Sequence, residues 1–181
     1  MKARTAKIDR ATGETRISLK LKIDGKGKAS IDTGIPFFDH MLSLFAKHTV
    51  CDLNLKCDGD LEVDTHHAVE DCGLALGQAY GQALDEKRGI RRYGTGFDPR
   101  NPLWGEAHVP MDETLARCVV DFSGRPSLVW NGLDKLSYRV LKNDKTQDDA
   151  CRFRFGLARE FFQGYANEAH CNLHLEFLYG Q

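Results

Sequence analysis

Cys51-Asp52-Leu53-Asn54-Leu55 and Cys171-Asn172-Leu173-His174-Leu175 repeat one pattern 120 residues apart (171 − 51). In each, leucines alternate with polar residues behind a cysteine, the period-2 mark of a half-buried strand. The same shift lays His40-Met41-Leu42 over Glu160-Phe161-Phe162 and Phe45-Ala46 over Tyr165-Ala166. Shared α/β periodicity explains one coincidence, whereas a gap-free run through a helix and a strand points to duplication of a whole unit.

Working outward, Thr15 to Ile23 places Ile17, Leu19, Leu21 and Ile23 on one face and Ser18, Lys20 and Lys22 on the other. Asp24-Gly25-Lys26-Gly27 supplies turn chemistry, and Ala29 to Thr33 is expected to return antiparallel. A helix is expected over Pro36 to His48 with Phe37, Met41, Leu44 and Phe45 on its apolar face. A second begins at His66, buries Val69, Cys72, Leu76, Ala79 and Ala83, and ends near Gly89 as a C-cap. The second half repeats the order: a strand over Leu115 to Phe122, a turn at Ser123-Gly124-Arg125-Pro126, a return over Ser127 to Trp130, a helix over 151–167 and a strand over Asn172 to Phe177. Strands precede helices in each half, which predicts an α+β fold with helices on one face of each sheet. The units span 1–94 and 95–181 within one compact domain. Each is a four-stranded sheet plus two helices, and the second copy lacks its last helix, because the repeat places it just past residue 181.

With 25 Lys and Arg against 26 Asp and Glu, the charge is nearly balanced and nothing argues for nucleic acid. A local basic cluster, Lys87-Arg88 with Arg91-Arg92, is the exception. No apolar stretch approaches a membrane span, and no apolar signal core follows Met1. The six cysteines (51, 57, 72, 118, 151 and 171) form no CxxC pair and read as reduced thiols of a cytoplasmic protein.

The chemistry concentrates in Asp64-Thr65-His66-His67-Ala68-Val69-Glu70-Asp71. On a helix His66 and Glu70 are i,i+4 neighbours, His67 and Glu70 are i,i+3 neighbours, and the two imidazoles diverge by about 100°. Each histidine can therefore serve a different metal with Glu70 between them, and imidazole plus carboxylate suits Mn, Fe, Zn, Ni or Cu. The plain alternative is a polar helix start in which Asp64 or Thr65 caps while Glu70 and Asp71 face solvent.

Together with that stretch, Glu14-Thr15-x-Ile17, Phe38-Asp39-His40-Met41-Leu42, Arg92-Tyr93-Gly94, Pro110-Met111-Asp112-Glu113 and Ser123-Gly124-Arg125-Pro126 resemble imidazoleglycerol-phosphate dehydratase, in order from about Arg4 to Tyr179. The resemblance implies a carbon–oxygen lyase that dehydrates D-erythro-imidazole glycerol phosphate to imidazole acetol phosphate in histidine biosynthesis. It implies two Mn²⁺ per subunit, bound between subunits of a 24-subunit shell assembled from trimers. Carried over residue by residue, His40, His66, His67, Glu70 and Glu160 match metal ligands. Glu14, His40, His48, His66, His67, Glu70, Arg92 and Arg125 match positions at the substrate, the arginines on its phosphate. The implied route passes through an imidazolate bridging the two metals towards a diazafulvene-like intermediate, with Glu70 or its second-half counterpart moving the carbon-bound proton, Glu14 as its partner and Asp112 helping.

This sequence departs from the family in three places. The family's second His-His-x-x-Glu motif and the phosphate-contacting lysine of the same helix are absent from a sequence that ends at Gln181, residues around Phe97 to Glu106 look like a loop insertion, and Asn143 to Arg154 follows no family pattern. The first departure motivates an alternative, a catalytically inactive trimeric assembly unit. A metal hydrolase ranks last, because His-His-x-x-Glu matches neither His-Glu-x-x-His nor its inverse. Read singly, His40 is a packed or solvent-edge histidine, His48 a helix C-terminal cation, Arg92 a member of the basic cluster, and Arg125 and Asp112 turn residues.

Overall fold

The computed structural model describes residues 3–88, 90, 106–133 and 153–180. Its elements are β1 (Thr5–Ala11), β2 (Thr15–Lys22), β3 (Ala29–Asp32), α1 (Pro36–Thr49), β4 (Asp52–Gly59), α2 (His66–Leu84), β5 (Glu106–Met111), β6 (Thr114–Asp121), β7 (Ser127–Asn131), α3 (Gly156–Ala169) and β8 (Asn172–Tyr179). Two four-stranded sheets have the same order, β1-β2-β4-β3 and β5-β6-β8-β7. The duplication is therefore structural. From α1 to α3 and from β4 to β8 the offset is 120 (156 − 36 and 172 − 52), but from β2 to β6 it is 99 (114 − 15). The extra residues of the second copy fall between β7 and α3, largely outside the described residues.

The expected antiparallel return after β2 does not form. β4 takes that place, pairing along its whole length with Leu19 opposite Leu55 and Leu21 opposite Leu53, while β3 lies parallel to β4. The physical reason is length: β4 offers β2 eight paired residues with matching apolar alternation, and β3 has only four. The Asp52 carboxylate holds the connection by accepting the Lys26 and Lys28 N–H groups at 2.8 and 3.1 Å. The second return is corrected in the same way, since β7 runs parallel to β8.

Helix α1 buries Phe38, Leu42 and Ala46, whereas Met41 is exposed and Phe37 and Phe45 are half-buried. The expected apolar face is thus one position out of phase, because Phe37 and Phe45 flank the buried stripe and rest on Phe153 and Tyr80. Helix α2 stops at Leu84, where Asp85 takes a positive φ, five residues before Gly89, which lies outside the described residues. Helix α3 starts at Gly156, with Phe155 as its N-cap, rather than at 151. The boundary expected at 94/95 also lies outside the described residues.

Twelve of the nineteen residues of α2 are buried, so it is a central helix rather than a surface one. One side lies on β1, β2 and β4 and the other on α3. That second contact depends on glycine. A Cβ at Gly73 would collide with the Phe161 carbonyl, and one at Gly77 would stand 2.6 Å from the Tyr165 carbonyl. Tyr80 completes the junction, stacking on Phe122 and meeting Tyr165 edge-on. Among the described residues the second unit has no helix equivalent to α2, and Val109, Met111 and Tyr179 of its sheet are exposed.

Candidate functional site

The first turn of α2 starts where β4 ends. Gly59 pairs with Thr15 as the last residue of the β2–β4 register, and the next residue, Asp60, donates its N–H to the Glu14 carbonyl at 3.1 Å. Asp64 then accepts the His66 N–H at 2.7 Å, occupying one of the free donors of the helix start. Thr65 makes no side-chain capping bond.

Within this turn His66 Nε2 stands 3.3 Å from Glu70 Oε2. The His66 and His67 rings diverge, 5.8 Å apart and nearly perpendicular, as helical spacing predicts. His67 turns its Nδ1 to Asp60, at 2.9 Å from Oδ2 and 3.2 Å from Oδ1. That hydrogen bond, with the Asp60, Glu14 and Asp64 charges, raises the His67 pKa above the ordinary histidine value.

Asp71 does not face solvent. Its carboxylate is buried, accepts from Arg10 of β1 at 2.6 Å and from the Thr15 hydroxyl of β2, and pins the start of α2 to the sheet. Glu70, one residue earlier, is consequently aimed outward beside His66.

The donor types fit manganese. Imidazole and carboxylate both suit that ion, and His66 Nε2 and Glu70 Oε2 stand side by side at 3.3 Å. Among the described residues no three His, Cys, Asp or Glu side chains converge on one point. A complete coordination shell therefore needs donors beyond the pair that this turn brings together.

The structure gathers Glu14, His66, His67 and Glu70 and adds Asp60, which sequence reasoning overlooked. His40 and His48 are exposed along α1, and Glu160 is half-buried on α3. Asp112 sits with positive φ in the tight turn joining β5 to β6, and Arg125 lies in the turn after β6, where its N–H donates to Ser123 Oγ at 3.2 Å. None of these five has a hydrogen bond or ion pair to the α2 turn among the described residues. Arg92, and all but Glu106 of the 97–106 stretch, lie outside them. No described helix is long and apolar enough to cross a membrane.

Comparison with known proteins gives a consistent answer. The family profile for imidazoleglycerol-phosphate dehydratase matches residues 33–181. Proteins of that name from Trichlorobacter lovleyi and Pelobacter propionicus are each 51% identical, over 98% of this chain and 80% of the relative. The fold is similar to the crystal structure of imidazoleglycerol-phosphate dehydratase from Staphylococcus aureus, with a TM-score of 0.68 and 29% identity over 98% of this chain and 85% of that one. It is also similar to IGPD from Pyrococcus furiosus in complex with (S)-C348, with a TM-score of 0.66 and 26% identity over 96% and 81%.

Proposed function

The chain belongs to the imidazoleglycerol-phosphate dehydratase family and dehydrates imidazole glycerol phosphate in histidine biosynthesis; on that premise we propose that the first turn of α2 is the working centre of the reaction. The observation that supports this most is the placement of His66 and Glu70 as adjacent donors beside a carboxylate-held His67. His66, His67 and Glu70 hold manganese, with His40 and Glu160 as further ligands and two ions per subunit. When bound, the metal supplies Lewis acidity and a template for the substrate's imidazole ring.

The protein's own groups do the rest. Glu70 shares a turn with both histidines, and Glu14 lies close enough for its charge to act on His67, so these two carboxylates are the candidates for moving the carbon-bound proton. Asp112 is a third, with a hairpin-turn role as the competing explanation. Arg92 and Arg125 offer paired N–H donors to the phosphate, while His40 and His48 line the substrate.

The active form is a cytoplasmic homo-oligomer in which donors from neighbouring subunits complete the metal sites. That assembly is a 24-subunit shell built from trimers, and light scattering distinguishes a shell from a trimer. The residue assignment is tested by turnover of imidazole glycerol phosphate after metal stripping and Mn²⁺ restoration. Activity is expected to return with Mn²⁺, and Glu70→Gln to remain at least about 100-fold lower at saturating metal. A Glu70→Gln protein as active as its parent would overturn the assignment.

A further inference from the structure

We propose that Asp60 is a positioning residue that fixes His67 in the tautomer presenting Nε2 outward as a ligand. This inference rests on the reading of His67 as a metal ligand and adds to it a residue outside the ligand set.

The geometry carries the proposal. Neutral imidazole has one N–H and one lone pair, and whichever nitrogen faces a carboxylate keeps the hydrogen. Asp60 Oδ2 lies 2.9 Å from Nδ1, so Nδ1 donates and Nε2, which has no hydrogen-bond partner among the described residues, carries the exposed lone pair. Asp60 is itself anchored. Its N–H donates to the Glu14 carbonyl at 3.1 Å, and its carbonyl accepts the Val63 N–H at 2.8 Å. Its side chain is only 19% accessible.

The preceding residue brings the strand end close to the helix. A Cβ on Gly59 would stand 3.1 Å from the Ala68 Cβ, in the residue after His67, so a larger side chain would push the two apart. The end of β4, the Glu14 segment and the first turn of α2 therefore meet at one carboxylate. A carboxylate behind a ligating imidazole orients the ring and makes it a stronger donor, and its loss weakens metal binding by about 10–100-fold.

The test is Mn²⁺ titration of the assembled protein, following the free-ion paramagnetic resonance signal, for the parent, Asp60→Asn, Asp60→Ala and His67→Ala. It is paired with ¹⁵N-histidine spectra of the metal-free samples. Asp60→Ala is expected to lose about 10–100-fold in Mn²⁺ affinity and to shift His67 towards the Nε2–H tautomer. Asp60→Asn, whose amide oxygen still accepts the Nδ1 hydrogen, should keep the tautomer and lie between parent and alanine. A purely structural role would leave the tautomer unmoved and would not be rescued in this graded way. Unchanged affinity and tautomer in Asp60→Ala, with His67→Ala still losing metal, would overturn the proposal alone. Full Mn²⁺ binding by His67→Ala would instead overturn the ligand reading beneath it. Should Asp60→Ala fail to fold, Asp60→Asn binding Mn²⁺ like the parent, with mixed tautomers, would equally refute the proposal.

Discussion

Replacing Asp71 with alanine should destabilise the protein by about 3 kcal/mol, because its carboxylate fastens the first turn of α2 to the first sheet. The Arg10–Asp71 pair has only 24% and 12% side-chain accessibility, and the Thr15 hydroxyl donates to the same carboxylate oxygen. Removing one partner of a fully buried ion pair costs about 3–5 kcal/mol, since a charge is left without compensation. Partial solvation of Arg10 lowers that range, while the orphaned Thr15 hydroxyl adds about 1 kcal/mol or more. In a domain of this size about 3 kcal/mol corresponds to a fall in Tm of roughly 9 °C. Urea unfolding followed by helical circular dichroism, at fixed protein concentration, measures the change. Glu70→Gln, one residue earlier and aimed outward, is the control and should move stability by less than about 0.5 kcal/mol. The paired replacement Arg10→Met with Asp71→Leu should recover most of the loss, because it removes both charges together. An Asp71→Ala protein within 0.5 kcal/mol of the parent would refute the reasoning, the cited cost being several times larger.

Three further outcomes are expected. Gly77→Ala should cost about 1–2 kcal/mol in the same unfolding assay, because the clash with the Tyr165 carbonyl outweighs a helix-propensity gain of about 1 kcal/mol; a stabilised variant would contradict the close α2–α3 contact. Mn²⁺ affinity should fall as pH drops below the raised His67 pKa, so the loss begins above pH ~6.5 and steepens towards one decade per unit; flat affinity between pH 8 and 6 would remove His67 from the ligand set. Buried Cys72, its thiol pKa raised by the hydrogen bond with Cys57 and then by burial, and buried Cys171, pushed up by burial to about 12, should resist a thiol-modifying disulfide reagent at pH 8 until denaturant is added. Rapid native labelling of either would argue against the buried helix–sheet junction.

Much of the fold was legible where the signal is local. The alternation around Leu53 and Leu173 marks β4 and β8, and the spacing of His66, His67 and Glu70 predicts the divergence the turn displays. Strand pairing was less legible. Ala29 to Asp32 reads as a return strand, but competition between β3 and β4 for the edge of β2 is decided by paired length, which a turn signal does not encode. The α1 face was misphased because aromatic residues on both sides of a buried stripe find ring partners in other elements.

At the site, Asp71 reads as one more solvated acid of a helix start. Its partners are 61 and 56 residues earlier in the chain, so no local pattern announces the burial. Asp60 was missed because an irregular turn separates it from His67 by seven residues. The available cue was Gly59-Asp60 directly after an alternating strand, a small residue that allows close approach followed by a carboxylate. The Ser123-Gly124-Arg125-Pro126 turn is legible because its signal is local, and Asp112 falls in the equally local turn between β5 and β6.

The central claim is that the α2 turn binds the metal on which the reaction depends. Anomalous X-ray scattering at the manganese edge, from crystals of the Mn²⁺-loaded assembled protein, tests it most directly. The account predicts ions at bonding distance from His67 Nε2 and from the His66–Glu70 pair, with Asp60 still on His67 Nδ1. Manganese bound elsewhere, with the α2 turn empty at saturating metal, would contradict it.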